Sequence, residues 1–256
     1  MLYSVLHNEL WQKPLPFTSL SHEQFVKLQQ ASSKQTIEGL VMGALIRNNV
    51  KLERADALLA YSRTMMIEQL NHKVNAVAKE LATILANDGI DYRIFKGQTL
   101  ALLYPNPETR MPGDIDFYCV PNHFARAQQL LQKAWGITLG GEESMQHRDF
   151  SYKDVPLEMH FCMMKFNSNA IQTYWERLLA EASIEQVSIE GVAVNTLPPT
   201  LNVLYTFLHL YHHLVELGVG LRQFCDLLVL LHRHCETIDR VALEKHLRAM
   251  GFYRAF

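Results

Sequence analysis

The sequence predicts an α+β protein, with a small mixed sheet flanked by N-terminal and C-terminal helical regions. Three observations carry that prediction. Residues 1–88 place apolar side chains at helical spacing. Residues 89–165 hold short runs at strand spacing, broken by turns and one helix, and residues 166–256 return to helical spacing. The predicted organisation is therefore a helical region (1–88), an α/β core (89–165) and a second helical region (166–256).

In chain order, Ser21-His22-Glu23-Gln24 reads as a helix start, with Ser21 as N-cap and Gln24 three residues on. Periodic stretches follow over Leu40–Val50 and Arg54–Gly89. In the second, Leu58, Leu59, Met65, Met66, Leu70, Val74, Val77 and Leu81 recur at helical spacing and are expected to fill a core. Asp91–Phe95 is a short strand. Lys96-Gly97 turns it into a helical run, Gln98–Tyr104, which Pro105 and Pro107 stop. Ile115–Val120 is a strand apolar enough to be buried, His123–Trp135 a helix, and Ile137–Leu139 a short strand. Asp149–Val155 and Leu157–Phe161 form a hairpin around Lys153-Asp154. Pro198-Pro199-Thr200 opens a helix, Gly218-Val219-Gly220 breaks it, Leu221–His234 resumes, and Val241–Met250 is the last helix. The chain stops at Phe256 without a polar tail, as expected of a fragment of a longer chain.

Composition narrows the function classes. Of 256 residues, 48% are hydrophobic and 20% charged, which is globular rather than disordered or collagen-like. A net charge of −2 with no Lys/Arg-rich run leaves no electrostatic footprint for duplex nucleic acid. Cys119, Cys162, Cys225 and Cys235 show no Cys-x-x-Cys spacing, a reducing-compartment pattern. With neither a leader nor a membrane span in the sequence, the expected location is the cytoplasm.

The chemistry is concentrated in Arg93–Pro121. Asp114-Ile115-Asp116 enters the buried strand, and at strand period both carboxylates project from one face. Adjacent carboxylates repel, so such a pair is stable mainly with cations between them; oxygen-only donors favour Mg2+ or Mn2+ over zinc. Glu158 and His160 share the polar face of Leu157–Phe161. If that strand lies beside the Asp pair, Glu158 joins it as a metal ligand or as a base. Lys96-Gly97 stands at a strand-to-helix turn, where backbone N–H groups and the dipole favour an anion such as phosphate. Arg110, four residues before Asp114, either binds phosphate or pairs with the Asp pair. Elsewhere, His209, His212 and His213 fall on one helix face without the Glu of a His-Glu-x-x-His site, which reads as a packed or substrate-facing helix. His147 belongs to a loop or to an acceptor site.

Lys96-Gly97, Leu103-Tyr104, Arg110 and Gly113-Asp114-Ile115-Asp116 together resemble the bacterial uncharacterised nucleotidyltransferase family, within the DNA polymerase beta-like superfamily, over about residues 20–256. Gly220-Leu221-Arg222 with Asp226 is similar to a later helix of that family, which turns Arg222 toward the cleft. The resemblance implies a sheet of nucleotidyltransferase type and Mg2+-dependent transfer of a nucleoside monophosphate from a nucleoside triphosphate to an acceptor hydroxyl. It implies that Asp114, Asp116 and Glu158 are the metal-binding and catalytic carboxylates, and that Lys96, Gly97, Gln98, Arg110 and Arg222 bind nucleotide. Two departures are plain: Gln98 follows Gly97 where the superfamily usually has Ser or Gly, and the separation from Gly97 to Asp114 is longer than in the generic superfamily motif. The alternatives are a catalytically silent binder of nucleotide or partner, a metal-dependent phosphohydrolase, and a helical interaction protein.

Overall fold

The computed structural model describes residues 1–139 and 146–256. The N-terminal region is four helices: α1 (Leu2–Trp11), α2 (His22–Lys34), α3 (Glu38–Arg47) and the long α4 (Arg54–Asn87). The predicted capping box of α2 is present, Ser21 and Gln24 each satisfying the other's backbone N–H. The predicted apolar stripe of α4 divides in two. Val74, Val77 and Leu81 are buried, whereas Leu58 is 62% exposed and Met65 and Met66 are 37% and 40% exposed. The first half of α4 instead buries Ala60, Thr64, Ile67 and Asn71, the small or polar face that α3 and the Glu108–Arg110 backbone approach.

The central sheet is β1 (Tyr92–Phe95), β2 (Ile115–Cys119), β3 (His147–Tyr152) and β4 (Val155–His160), in the order β1-β2-β4-β3. β2 runs antiparallel to β1 and parallel to β4, and β3 closes the edge as the expected hairpin with β4. Lys153 and Asp154 both take positive φ, the turn geometry that suits a two-residue hairpin. Between β1 and β2 lie the five-residue helix α5 (Gly97–Ala101) and a 3-10 turn at Pro107–Thr109; α6 (Pro121–Trp135) follows β2. Ile137–Leu139 is not a strand, because Gly136 caps α6 in the left-handed region and the next residues are irregular.

One face of the sheet, with Ile94, Ile115, Phe117, Leu157 and Met159, packs on α4 and α6. The other face carries Phe95 and Tyr118 into a second cluster with α7 (Asn169–Glu181) and α8 (Pro199–Glu216). Both faces are covered, which accounts for the nearly unbroken apolar character of β2. The region after residue 166 is not wholly helical. A hairpin of β5 (Glu185–Ile189) and β6 (Val192–Thr196) lies between α7 and α8, and its Ile189 and Val194 join the core under the sheet. The chain ends with α9 (Leu221–Arg233) and α10 (Arg240–Ala249). No helix among the described residues is long and apolar enough to cross a membrane.

Candidate active site

Strand pairing builds the site. β2 and β4 are parallel with Asp116 beside Glu158 in register, so alternation brings both carboxylates to the same face. Asp114 joins them from the loop before β2. Oxygens of Asp114, Asp116 and Glu158 all lie within 4.8 Å of one another. They look into a cleft of about 910 Å³ between the sheet and α8, lined also by Lys96, Gly97, Arg222 and His209.

Asp116 is 2% exposed and stays charged, because two basic groups of the protein hold it. Lys96 Nζ is 2.9 Å from Oδ1 and His160 Nε2 is 3.0 Å from it. Burial alone would raise the Asp116 pKa; Lys96 and then His160 outweigh it and leave it well below the usual carboxylate range. The same contacts act on the partners. Burial would lower both Lys96 and His160, but Asp116 raises each. Glu158 Oε2 is 3.3 Å from His160 Nε2, and that contact lowers the Glu158 pKa.

Asp114 differs. Burial first, and the Asp116 charge second, push its pKa up to about 6. A carboxyl whose charge is opposed both by burial and by a neighbouring carboxylate marks a donor set short of positive charge. The three residues therefore fit a hard divalent cation.

The turn before the site is built from β1. Lys96 has φ 57 and Gly97 φ 39, which swings the chain sharply from strand to helix. An added Cβ at Gly97 would meet the Asp114 carbonyl oxygen at 3.2 Å, so glycine allows the two segments to touch. The Gln98 side chain points away from the cleft; its Nε2 donates to Asn71 Oδ1 (3.2 Å) and to Asn75 on α4.

The arginines are placed differently from one another. Arg110 borders the cleft but pairs with Asp226 rather than with the Asp pair. Its Nε and Nη2 donate to Asp226 Oδ1 and Oδ2 at 2.7 and 2.8 Å. Tyr104 Oη donates to the same Asp226 oxygen at 2.6 Å. Asp226 is thus taken by Arg110 and not by Arg222 one helical turn away. The Arg222 Nη1 donates to the Met111 carbonyl at 3.2 Å, on the segment leading to Asp114, and the side chain lines the cleft. The α8 histidines also line it. His209 Nε2 is 3.4 Å from Lys96 Nζ, and burial, then Lys96, lower its pKa to about 2, so the ring is neutral.

Missed in the sequence was the role of His160 as the buried partner of Asp116 and Glu158. Its position two residues after Glu158 on a strand was the available signal, since i and i+2 share a face. Tyr205, behind Lys96 and against Phe95, was not foreseen either.

Two carboxylates on parallel neighbouring strands, a third from the loop before β2, a lysine and a glycine turn at one end and a cleft in front make a donor set that could hold a divalent cation. The chain belongs to the uncharacterised nucleotidyltransferase family, whose family model matches residues 21–256. No curated protein matches the sequence. Solved structures that match include the following three. An antigenic nucleotidyltransferase-like protein from Paracoccidioides brasiliensis is 18% identical, with a TM-score of 0.44 over 71% of this chain and 88% of that one. The solution structure of the antibiotic-resistance factor ANT(2'')-Ia is 12% identical, with a TM-score of 0.49 over 72% and 92%. ANT(2'')-Ia in complex with adenylyl-2''-tobramycin is 13% identical, with a TM-score of 0.46 over 72% and 98%.

Proposed function

We propose that this protein transfers a nucleoside monophosphate from a nucleoside triphosphate to an acceptor hydroxyl, with Mg2+ (or Mn2+) held by Asp114, Asp116 and Glu158. The observation that carries the reading is the convergence of those three carboxylates, within 4.8 Å, at the wall of a cleft large enough for a nucleotide and a small acceptor. A cation held by Asp114, Asp116 and Glu158 would neutralise phosphate oxygens and polarise the phosphorus centre.

The protein's own groups do the rest. Lys96 and Arg222, both lining the cleft, offer cationic donors to the phosphates. Gly97 brings backbone N–H groups within reach. His160 fixes the orientation of Asp116 and Glu158, the role that partners of metal-binding carboxylates usually play. Glu158, less buried than Asp116, holds cation or accepts the proton of the attacking hydroxyl. Arg110 acts at one remove: its pair with Asp226 anchors the Met111–Asp114 segment against α9.

A second reading, a silent binder of nucleotide, is favoured by one observation. Lys96 and His160 already balance the charge of Asp116. Calorimetry with ATP, GTP, CTP and UTP, with and without Mg2+, separates the readings. Metal-dependent binding that Asp114→Ala/Asp116→Ala loses supports the transferase site. Nucleotide binding indifferent to both metal and carboxylates supports the silent binder. Absence of binding by all four removes both. Product analysis then distinguishes transfer, which yields pyrophosphate and a modified acceptor, from hydrolysis.

A further inference from the structure

We infer that His147, Glu158 and His160 form a second cation site, one that takes a borderline divalent transition ion of the Zn2+ type. His147 on β3 stands directly opposite His160 on β4 in the antiparallel register, and Glu158 lies two residues before His160 on the same face. Ligand atoms of the three all lie within 4.8 Å of one another. The imidazole centroids are 4.8 Å apart, and the Glu158 carboxylate is 3.3 Å from His160 Nε2. Asp149, on the same strand and face as His147, places Oδ1 3.2 Å from His147 Nε2.

Donor chemistry separates this trio from the carboxylate site. Three oxygens suit Mg2+ or Mn2+, whereas two imidazoles and one carboxylate suit Zn2+, Co2+ and their neighbours. Bonds of about 2.0–2.2 Å place tetrahedral donors roughly 3.4 Å apart, so small side-chain rotations close the present spread. Both histidines rise from the backbone of one hairpin, which holds them more firmly than loops would. Three protein donors leave further coordination positions, and all three residues line the cleft.

Glu158 belongs to both sites, so the two are coupled. An ion held by His147, Glu158 and His160 draws Glu158 and His160 away from Asp116 and changes the charge facing Asp114. The trio's donor set is in place whether or not the protein proves to be a transferase.

The test is Co2+ titration of the full chain, freed of metal by a chelator, followed by visible absorption with Zn2+ as competitor. Wild type, His147→Ala, His147→Gln and Asp114→Asn are compared, each checked by circular dichroism for an intact fold. The expected result is d–d absorption that Zn2+ abolishes, an affinity that falls about 10–100-fold or more in both His147 variants, and retention of affinity in Asp114→Asn. Absence of the bands in wild type overturns the proposal. So does an affinity that folded His147 variants keep, or one that Asp114→Asn loses while they keep it, since the ion then sits among the carboxylates. Failure of Mg2+-dependent nucleotide binding in the same proteins would count against the transferase reading and leave the Co2+ result standing.

Discussion

Arg110 and Asp226 form a two-pronged, fully buried ion pair between residues 116 positions apart, at 2.7 and 2.8 Å. Removing one member leaves the other charged and buried, which costs far more than the pair contributes over an apolar replacement. Asp226→Ala, which also strips Tyr104 of its acceptor, is expected to cost about 3–5 kcal/mol in urea unfolding. Arg110→Met/Asp226→Leu should recover most of that. Equal losses in the single and double variants would show that the pair is not what holds α9 to the Met111–Asp114 segment.

The pH dependence follows from Asp114. Its folded pKa is about 6 against an ordinary 3.8, so the folded protein binds the proton more tightly than the unfolded chain does. The Asp114 contribution to metal-free stability therefore declines as pH rises from about 4 to about 6. His209, held neutral in the fold with a pKa of about 2, contributes the opposite slope over the same range. Cation binding likewise strengthens as pH rises, because the Asp114 proton must leave first. Mg2+ affinity should rise about tenfold per pH unit below 6 and level off near 7. Melting temperatures at pH 4, 5, 6 and 7, with and without Mg2+, check both, and Asp114→Asn should shift the metal-free slope toward stability that rises with pH.

Much of the candidate site was legible because it is local. Asp114, Asp116 and Glu158 lie on short alternating runs, where period two assigns a face without knowledge of the rest of the chain. The partnership of Arg110 and Asp226 was not legible. Arg222 and Asp226 at i, i+4 look like an ordinary helix pair, and only the packing of α9 against residues 103–111 shows which arginine wins. The exposed Leu58, Met65 and Met66 misled for a related reason. Helical spacing identifies an apolar stripe, but the neighbours of α4 chose the opposite face, where Ala60 and Asn71 allow close approach. The β5–β6 hairpin has strands of only five residues with polar outer positions, and it is stabilised by α4 and the sheet rather than by its own pattern.

Gly39 shows the same rule in reverse. It sits inside α3, where alanine is intrinsically better by about 1 kcal/mol. An added Cβ would strike the Thr109 carbonyl oxygen, in the turn that leads to Arg110, and would crowd Ile67. Gly39→Ala is expected to destabilise by about 1–3 kcal/mol despite the gain in propensity, as overpacked sites do. A midpoint equal to or above wild type in urea would mean that the α3 contact yields without cost.

Lys96 separates two uses of one positive charge. Its ammonium lies 2.9 Å from Asp116 and 3.4 Å from His209, at the end of the cleft where the glycine turn begins. In the free protein it occupies the place of a cation beside Asp116. On the proposed transferase reading it also donates to a phosphate oxygen of the triphosphate. Lys96→Met removes a competitor of the metal and a partner of the nucleotide at once, so the two affinities should move in opposite directions. Binding of Mg2+ alone should tighten. Binding of Mg2+·ATP should weaken by about 10–100-fold, the equivalent of one hydrogen bond to a charged group at about 1.5–3 kcal/mol. Calorimetry on the two titrations reads both numbers from the same protein. Weakening of both would mean that Lys96 holds Asp116 in position for the metal rather than competing with it. Loss of neither would remove Lys96 from the site.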